Sequence, residues 1–113
     1  MSGKHFPKRG EVYWVVLDPT LGGETQKTRP CLIVSNDIGN EFSKVVMVAP
    51  ITSKVRNIYP FEVKTIINEK PAKIMLNQCR AVDKSRILDK IGDIDHSSMQ
   101  MVVEAIKIVF AIN

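Results

Sequence analysis

The 113-residue chain is poor in cysteine, histidine and aromatic side chains, with two Cys, two His, one Trp, two Tyr and four Phe. Cys31 and Cys79 stand far apart, with neither a C-x-x-C pair nor a Cys/His spacing suited to zinc, so they read as buried free thiols in a reducing, cytoplasmic setting. No apolar run approaches the length of a membrane span. The opening M-S-G-K-H-F-P-K-R-G has no apolar centre and is read as no signal peptide. Internal repeats, linkers, low-complexity tracts and blocks of like charge are all missing, which excludes repeat architectures and charged tails.

What remains is a globular balance of 44% apolar and 25% charged residues, long enough for one domain spanning 1–113 without staples. The net charge of +4 suits a nucleic acid or an acidic partner. The basic residues sit in loose groups at 8–9, 27–29, 54–56 and 80–86, so any positive face must be assembled by folding.

Most of the chain reads as short strands. Residues 11–18, E-V-Y-W-V-V-L-D, suggest a strand buried on both faces, with Tyr13 and Trp14 in the core. Further strands are expected at 31–35, 44–51, 59–65 and 72–77. In the fourth, Glu62 and Lys64 alternate with Phe61 and Val63 and define a wet face. A helical turn over 82–88 and a strand or loop over 90–93 follow. Short strands broken by Gly, Pro and Asn indicate a mainly β protein, a small barrel or bent sheet. The period then changes: apolar residues at 99, 102, 103, 106, 109 and 110 make a helical face, with Asp95 as N-cap and an Ile94–Met99 staple. Met101, Ala105, Ile108 and Ile112 form a second apolar stripe that asks for a second covering surface, a partner subunit or a wrapped monomer.

Three polar stretches interrupt this pattern. Arg29 precedes Pro30, whose ring holds it in extended backbone, so its planar fork of donors leaves a strand end in a set direction. The plain alternative is a surface arginine paired with Glu24 or Asp37. Thr52 and Ser53, beside Lys54 and Arg56, offer hydroxyls next to cations, as a phosphate oxygen requires; the alternative is a self-bonded turn. Gln78 and Arg80 are expected on one side of an extended segment, with Asn77 opposite. His5 and His96 have no partner in the sequence and are given no role.

In order, R-G-E-V-Y-W-V-V-L-D-P (9–19), G-G-E-T-Q-K-T-R-P (22–30), A-P-I-T-S-K (49–54), Y-P-F-E-V (59–63) and N-Q-C-R-A-V-D-K-S-R (77–86) resemble the MazF/PemK family of toxin endoribonucleases along nearly the whole chain. The resemblance implies an SH3-like barrel of short, mostly antiparallel strands with a C-terminal α-helix, and a homodimer. It implies sequence-specific cleavage of single-stranded RNA without a metal or cofactor, by attack of the 2′-hydroxyl. It also implies a cognate antitoxin that lays an acidic, disordered segment over the RNA face. Carried onto this chain, the catalytic residues are Arg29 and Thr52, with Glu24 and Ser53 as further candidates. Thr25, Gln26, Lys27, Lys54, Arg56, Asn77, Gln78 and Arg80 are the candidate RNA contacts. Many relatives carry a carboxylate where Asn77 stands, and an amide cannot exchange protons at neutral pH. Two other readings keep the fold: a gyrase-poisoning toxin, whose relatives use a tryptophan near the C-terminus, and a non-catalytic RNA-binding barrel. The only tryptophan here is Trp14.

Overall fold

The continuous apolar run Cys31-Leu32-Ile33 arises because the sheet carries a core on each face. Leu32 packs with Val12, Ala49, Ile51, Val63, Ile74, Leu76, Val102 and Ala105. Its neighbours Cys31 and Ile33 pack with Val15, Val46, Val48 and Val82. Successive side chains of a strand leave on opposite faces, so a strand buried on both must be apolar throughout.

The computed structural model describes residues 5–17 and 27–113. Its strands are β1 (Glu11–Leu17), β2 (Lys27–Ile33), β3 (Val45–Thr52), β4 (Glu62–Ile67), β5 (Lys70–Met75), β6 (Arg80–Asp83) and β7 (Ile87–Asp93); its helices are α1 (Asp37–Phe42) and α2 (His96–Val109). All pairings are antiparallel, in the order β4-β5-β3-β2-β1-β7, with β6 also on β3. β3 bends the sheet: Val45–Val48 pair with β6, while Ile51 and Thr52 pair with β5.

The two ends of the path meet through a side chain. Asn68 and Glu69, at the tip of the β4–β5 hairpin, both adopt positive φ, 50° and 69°, the backbone a tight hairpin demands. The Asn68 amide donates to the Ile91 carbonyl of β7 at 3.0 Å. Gly92 gives it room, since a Cβ there would lie 3.0 Å from Asn68 Oδ1. The expected mainly β architecture with a terminal helix is what the chain adopts.

α2 starts where the sequence indicated. The Asp95 carboxylate accepts from the Ser98 amide at 3.1 Å, and its hydrogen bonds with Ser97 and Ser98 hold it well below the usual carboxylate range. Val102 and Ala105 are buried against the sheet, and Met99, Ile106 and Val109 flank them. Of the second stripe, Ala105 belongs to this buried face, while Met101, Ile108 and Ile112 are exposed.

Four details depart from the sequence reading. Trp14 is not core: it is 42% exposed, because β1 buries only Val12 and Val15 and its pairing with β7 shifts register on either side of Tyr13. Glu62 is not on a wet face; it forms a nearly buried ion pair with Lys73. Leu76–Gln78 form a 3₁₀ turn, so Gln78 and Arg80 do not share an extended segment. α1, capped by the Asn36 side chain on the Gly39 amide at 2.7 Å, was not anticipated, because six residues are too few to show a period. The short helical segment over 82–88 is a 3₁₀ turn at Lys84–Arg86, and 90–93 belong to the longer β7.

Candidate RNA-binding groove

β2 begins with Lys27, Thr28 and Arg29, directly opposite Leu17, Val16 and Val15 of β1. β3 ends with Thr52, opposite Lys73 of β5. The open end of the sheet between them is a groove of about 720 Å³. Arg29 and Thr52, 23 positions apart in the sequence, both line it. So do Lys27, Ser53 and Lys54 from the sequence-derived set.

The Thr52 hydroxyl oxygen accepts from the Lys54 amide at 3.2 Å, which leaves its proton to donate outward. Both readings of this Thr-Ser turn therefore hold together: it satisfies its own backbone and still presents a donor. Arg29 is half-buried. Beneath it the Cys31 thiol is fully buried; burial pushes it up to about 12, against the opposing pull of the Arg29 and Arg80 guanidiniums. Cys31 is thus an inert core thiol, and Arg80 lies within electrostatic reach of the same spot as Arg29.

Arg56, Asn77, Gln78 and Arg80 do not line the groove. Arg56 lies beyond it on the loop after β3, Asn77 and Gln78 are exposed on the 3₁₀ turn, and Arg80 is half-buried at the start of β6. Glu24, Thr25 and Gln26 lie outside the described residues.

Among the lining residues that the sequence reading did not assign to the site are Trp14, Asn68 and Lys70. Trp14 stands across from Pro30, one pair along from the Val15–Arg29 pair, so the indole and the guanidinium leave the ladder on opposite faces, yet both line the groove at the open end of the sheet. An apolar run hides such a residue. Lys27, Arg29, Lys54 and Lys70 give the groove four cations, and no carboxylate lines it among the described residues. Nor do three or more His, Cys, Asp or Glu side chains gather to hold a metal ion among those residues. No helix among them is long and apolar enough to cross a membrane.

Comparison with known proteins agrees with this geometry. Residues 8–110 match the model of the PemK-like, MazF-like toxins of type II toxin–antitoxin systems. The chain is 38% identical over 110 residues to Endoribonuclease EndoA of Bacillus subtilis (strain 168), covering 93% of this chain and 95% of that protein. It is 35% identical over 111 residues to Endoribonuclease MazF of Staphylococcus epidermidis, covering 94% and 92%. Among solved structures, a MazE–MazF crystal structure from Deinococcus radiodurans superposes with a TM-score of 0.82 at 23% identity, covering 97% of this chain and all of that one (100%). With a family match over nearly its whole length and the same mainly β architecture, this chain belongs to the PemK/MazF-like toxin family of type II toxin–antitoxin systems.

Proposed function

We propose that the protein is an endoribonuclease that binds single-stranded RNA in the groove between β2 and β3 and cuts it without a metal or cofactor. The observation that carries this reading is the meeting of Arg29 and Thr52 in one cationic groove, in a chain whose curated relatives are named endoribonucleases.

RNA brings its own nucleophile. The 2′-oxygen attacks the neighbouring phosphorus, its proton leaves to a base, and the P–O5′ bond breaks as the 5′-oxygen takes up a proton. The products are a 2′,3′-cyclic phosphate and a 5′-hydroxyl. Negative charge collects on the non-bridging oxygens in between. Arg29 is assigned to that charge, since a permanently protonated planar fork matches two phosphate oxygens. Thr52, its oxygen already occupied by the Lys54 amide, donates its proton to a phosphate oxygen. Glu24, on the segment that runs into Lys27, is assigned as the base, with Ser53 a further donor beside Thr52. Lys27, Lys54 and Lys70 hold the flanking phosphates, and Trp14 supplies a face on which an unstacked base can lie. Arg56, Asn77, Gln78 and Arg80, with Thr25 and Gln26, are assigned to bases and phosphates beyond the groove.

The exposed apolar residues Met101, Ile108, Phe110 and Ile112 at and after α2 support a homodimer. The positive groove suits a cognate antitoxin with an acidic, disordered segment, in line with the solved MazE–MazF complex. The free thiols of Cys31 and Cys79 fit work in the cytoplasm.

The test is direct. Incubation of the protein with a long single-stranded RNA in EDTA should yield discrete fragments with 5′-hydroxyl ends, and Arg29→Ala should leave the RNA whole. RNA that stays intact with the wild-type protein would sink the reading; cutting by Arg29→Ala at the wild-type rate would sink the site.

A further inference from the structure

The fold spends a lysine and a glutamate in its interior. The Lys73 side chain is 11% exposed and that of Glu62 7%, with Nζ and Oε1 3.2 Å apart. Taking two such charges from water costs several kcal/mol each, and an apolar pair of similar volume is often as stable or more so. The partners of the pair indicate another use. Lys73 Nζ also donates to the Arg56 carbonyl at 3.2 Å. Glu62 Oε1 accepts from the Tyr59 amide at 3.0 Å. Both belong to the nine-residue loop 53–61 that joins β3 to β4.

Besides the pair, the loop is held at its far end, where the Leu76 amide donates to the Phe61 carbonyl at 3.2 Å and the Glu62 amide to the Tyr59 carbonyl at 2.8 Å. None of its residues is buried, and only Val55 and Phe61 are half-buried, so apolar packing contributes little to its position. It turns through Asn57 at φ 56°, between the two tethered residues. Tyr59 stacks on Phe61 at 5.5 Å between ring centroids, and remains exposed. At its start stand Thr52, Ser53 and Lys54, which form one wall of the groove. Thr52 is also the direct pairing partner of Lys73, so the two side chains leave the sheet on the same face, with Cβ atoms about 5 Å apart. One buried pair thus touches the loop on both sides of its turn and stands beside the hydroxyl.

We propose that the Lys73–Glu62 pair is a positioning brace: it fixes the loop 53–61, and through it the Thr52–Lys54 wall, against the bound RNA. This deepens the assignment of the groove to RNA cleavage and rests on it. The pair touches no substrate. It sets where the Thr52 proton points and where the cations of Lys54 and Arg56 stand, and a displacement of about 1 Å at a reacting centre can cost as much as ~10² in rate.

The test uses the full chain with Lys73→Met and Glu62→Met together, which removes the pair without orphaning a buried charge. The thermal midpoint should stay at or above that of the wild type. Trypsin should cut after Arg56 faster than in the wild type, as the untethered loop opens. Single-turnover cutting of single-stranded RNA should fall about tenfold or more, in the maximal rate rather than in RNA affinity. In a Thr52→Val background, itself slow, the same double substitution should cost little more, because residues acting through one another are non-additive. Unchanged trypsin sensitivity and unchanged cutting would overturn the brace. So would a collapse of the thermal midpoint, which would make the pair a pillar of the fold instead. If the wild-type protein fails to cut RNA, the functional assignment falls, while the trypsin measurement still decides whether the loop is braced.

Discussion

Two clefts flank β1, and both are basic. The groove is entered beside Trp14, with Lys27, Arg29, Lys54 and Lys70 around it. The other cleft, about 490 Å³, is entered beside the adjacent residue Tyr13 and includes His5, Lys8, Lys84 and Lys90. What differs is how the charge is used. Lys90 is bound to Glu11 at 2.9 Å and to Asp93 at 3.2 Å, Lys84 donates to the Glu41 carbonyl at 3.1 Å, and Lys8 sits 5.6 Å from the centroid of the Phe6 ring. The Tyr13 hydroxyl donates to Glu11 at 2.8 Å; burial, then the Glu11 carboxylate, pushes that phenol up to about 12. In the groove, the four cations face no carboxylate among the described residues. Three lysines thus line a cleft that is neutralised from within, while the four cations of the groove meet no lining carboxylate among the described residues, a difference that the count of lysines and arginines alone does not reveal.

The comparison breaks most sharply at Arg29. Arg29→Ala should lower the cutting rate by ~10²–10³ with no change in thermal midpoint, whereas Lys90→Ala should leave cutting intact; gel-resolved rates on one RNA decide it. Trp14→Ala should weaken binding of an uncleavable single-stranded RNA by ~1–3 kcal/mol, the usual worth of a base stacked on an aromatic ring. Tyr13→Phe should not, since Tyr13 belongs to the paired cleft. Fluorescence titration of the two variants checks this. Lys27→Ala and Lys70→Ala should each reduce the slope of log affinity against log salt by ~0.7, the release from one phosphate contact on a single strand, and Lys84→Ala should not move it.

The smallest effect belongs to the paired cleft and concerns stability alone. Burial acts to raise the Glu11 carboxyl, but the Lys8 amide, Lys90 and the Tyr13 hydroxyl outweigh it, so it is held below its ordinary 4.5. A carboxylate depressed on folding stabilises the fold above its unfolded value and loses that contribution as the pH falls through the folded one. Glu11→Gln should therefore lower the thermal midpoint at neutral pH, with a difference that shrinks as the pH drops below 4.5. RNA binding should stay at the wild-type level.

The legibility of the molecule followed the range of the interactions involved. The Asp95 cap, the start of α2 and the strands around 31–33 and 45–51 are set by neighbours a few residues away, and each was readable from spacing. Arg29 and Thr52 were readable because Pro30 and a strand end restrict their backbones locally, and because the order of motifs resembles a known family. Trp14 was misjudged because its neighbours are apolar; the irregular pairing of β1 with β7 turned it out of the core. Glu62 was misjudged because alternation predicts which face a side chain occupies, but not that a loop folds over that face and a lysine on the next strand meets it there.

By itself, then, the sequence determined most of the strands, the C-terminal helix with its cap and the residue types available for phosphate chemistry, because capping and strand periodicity act over a few bonds. The tertiary structure decided that Lys90 meets Glu11 and Asp93, and that Lys27, Arg29, Lys54 and Lys70 line one groove with no carboxylate among the described residues. It also decided that an exposed tryptophan stands one rung from Arg29, and that a buried ion pair reaches the loop beside Thr52. Those outcomes depend on contacts between residues such as Lys73 and Arg56, 17 positions apart, or Asn68 and Ile91, 23 apart, which no local pattern encodes.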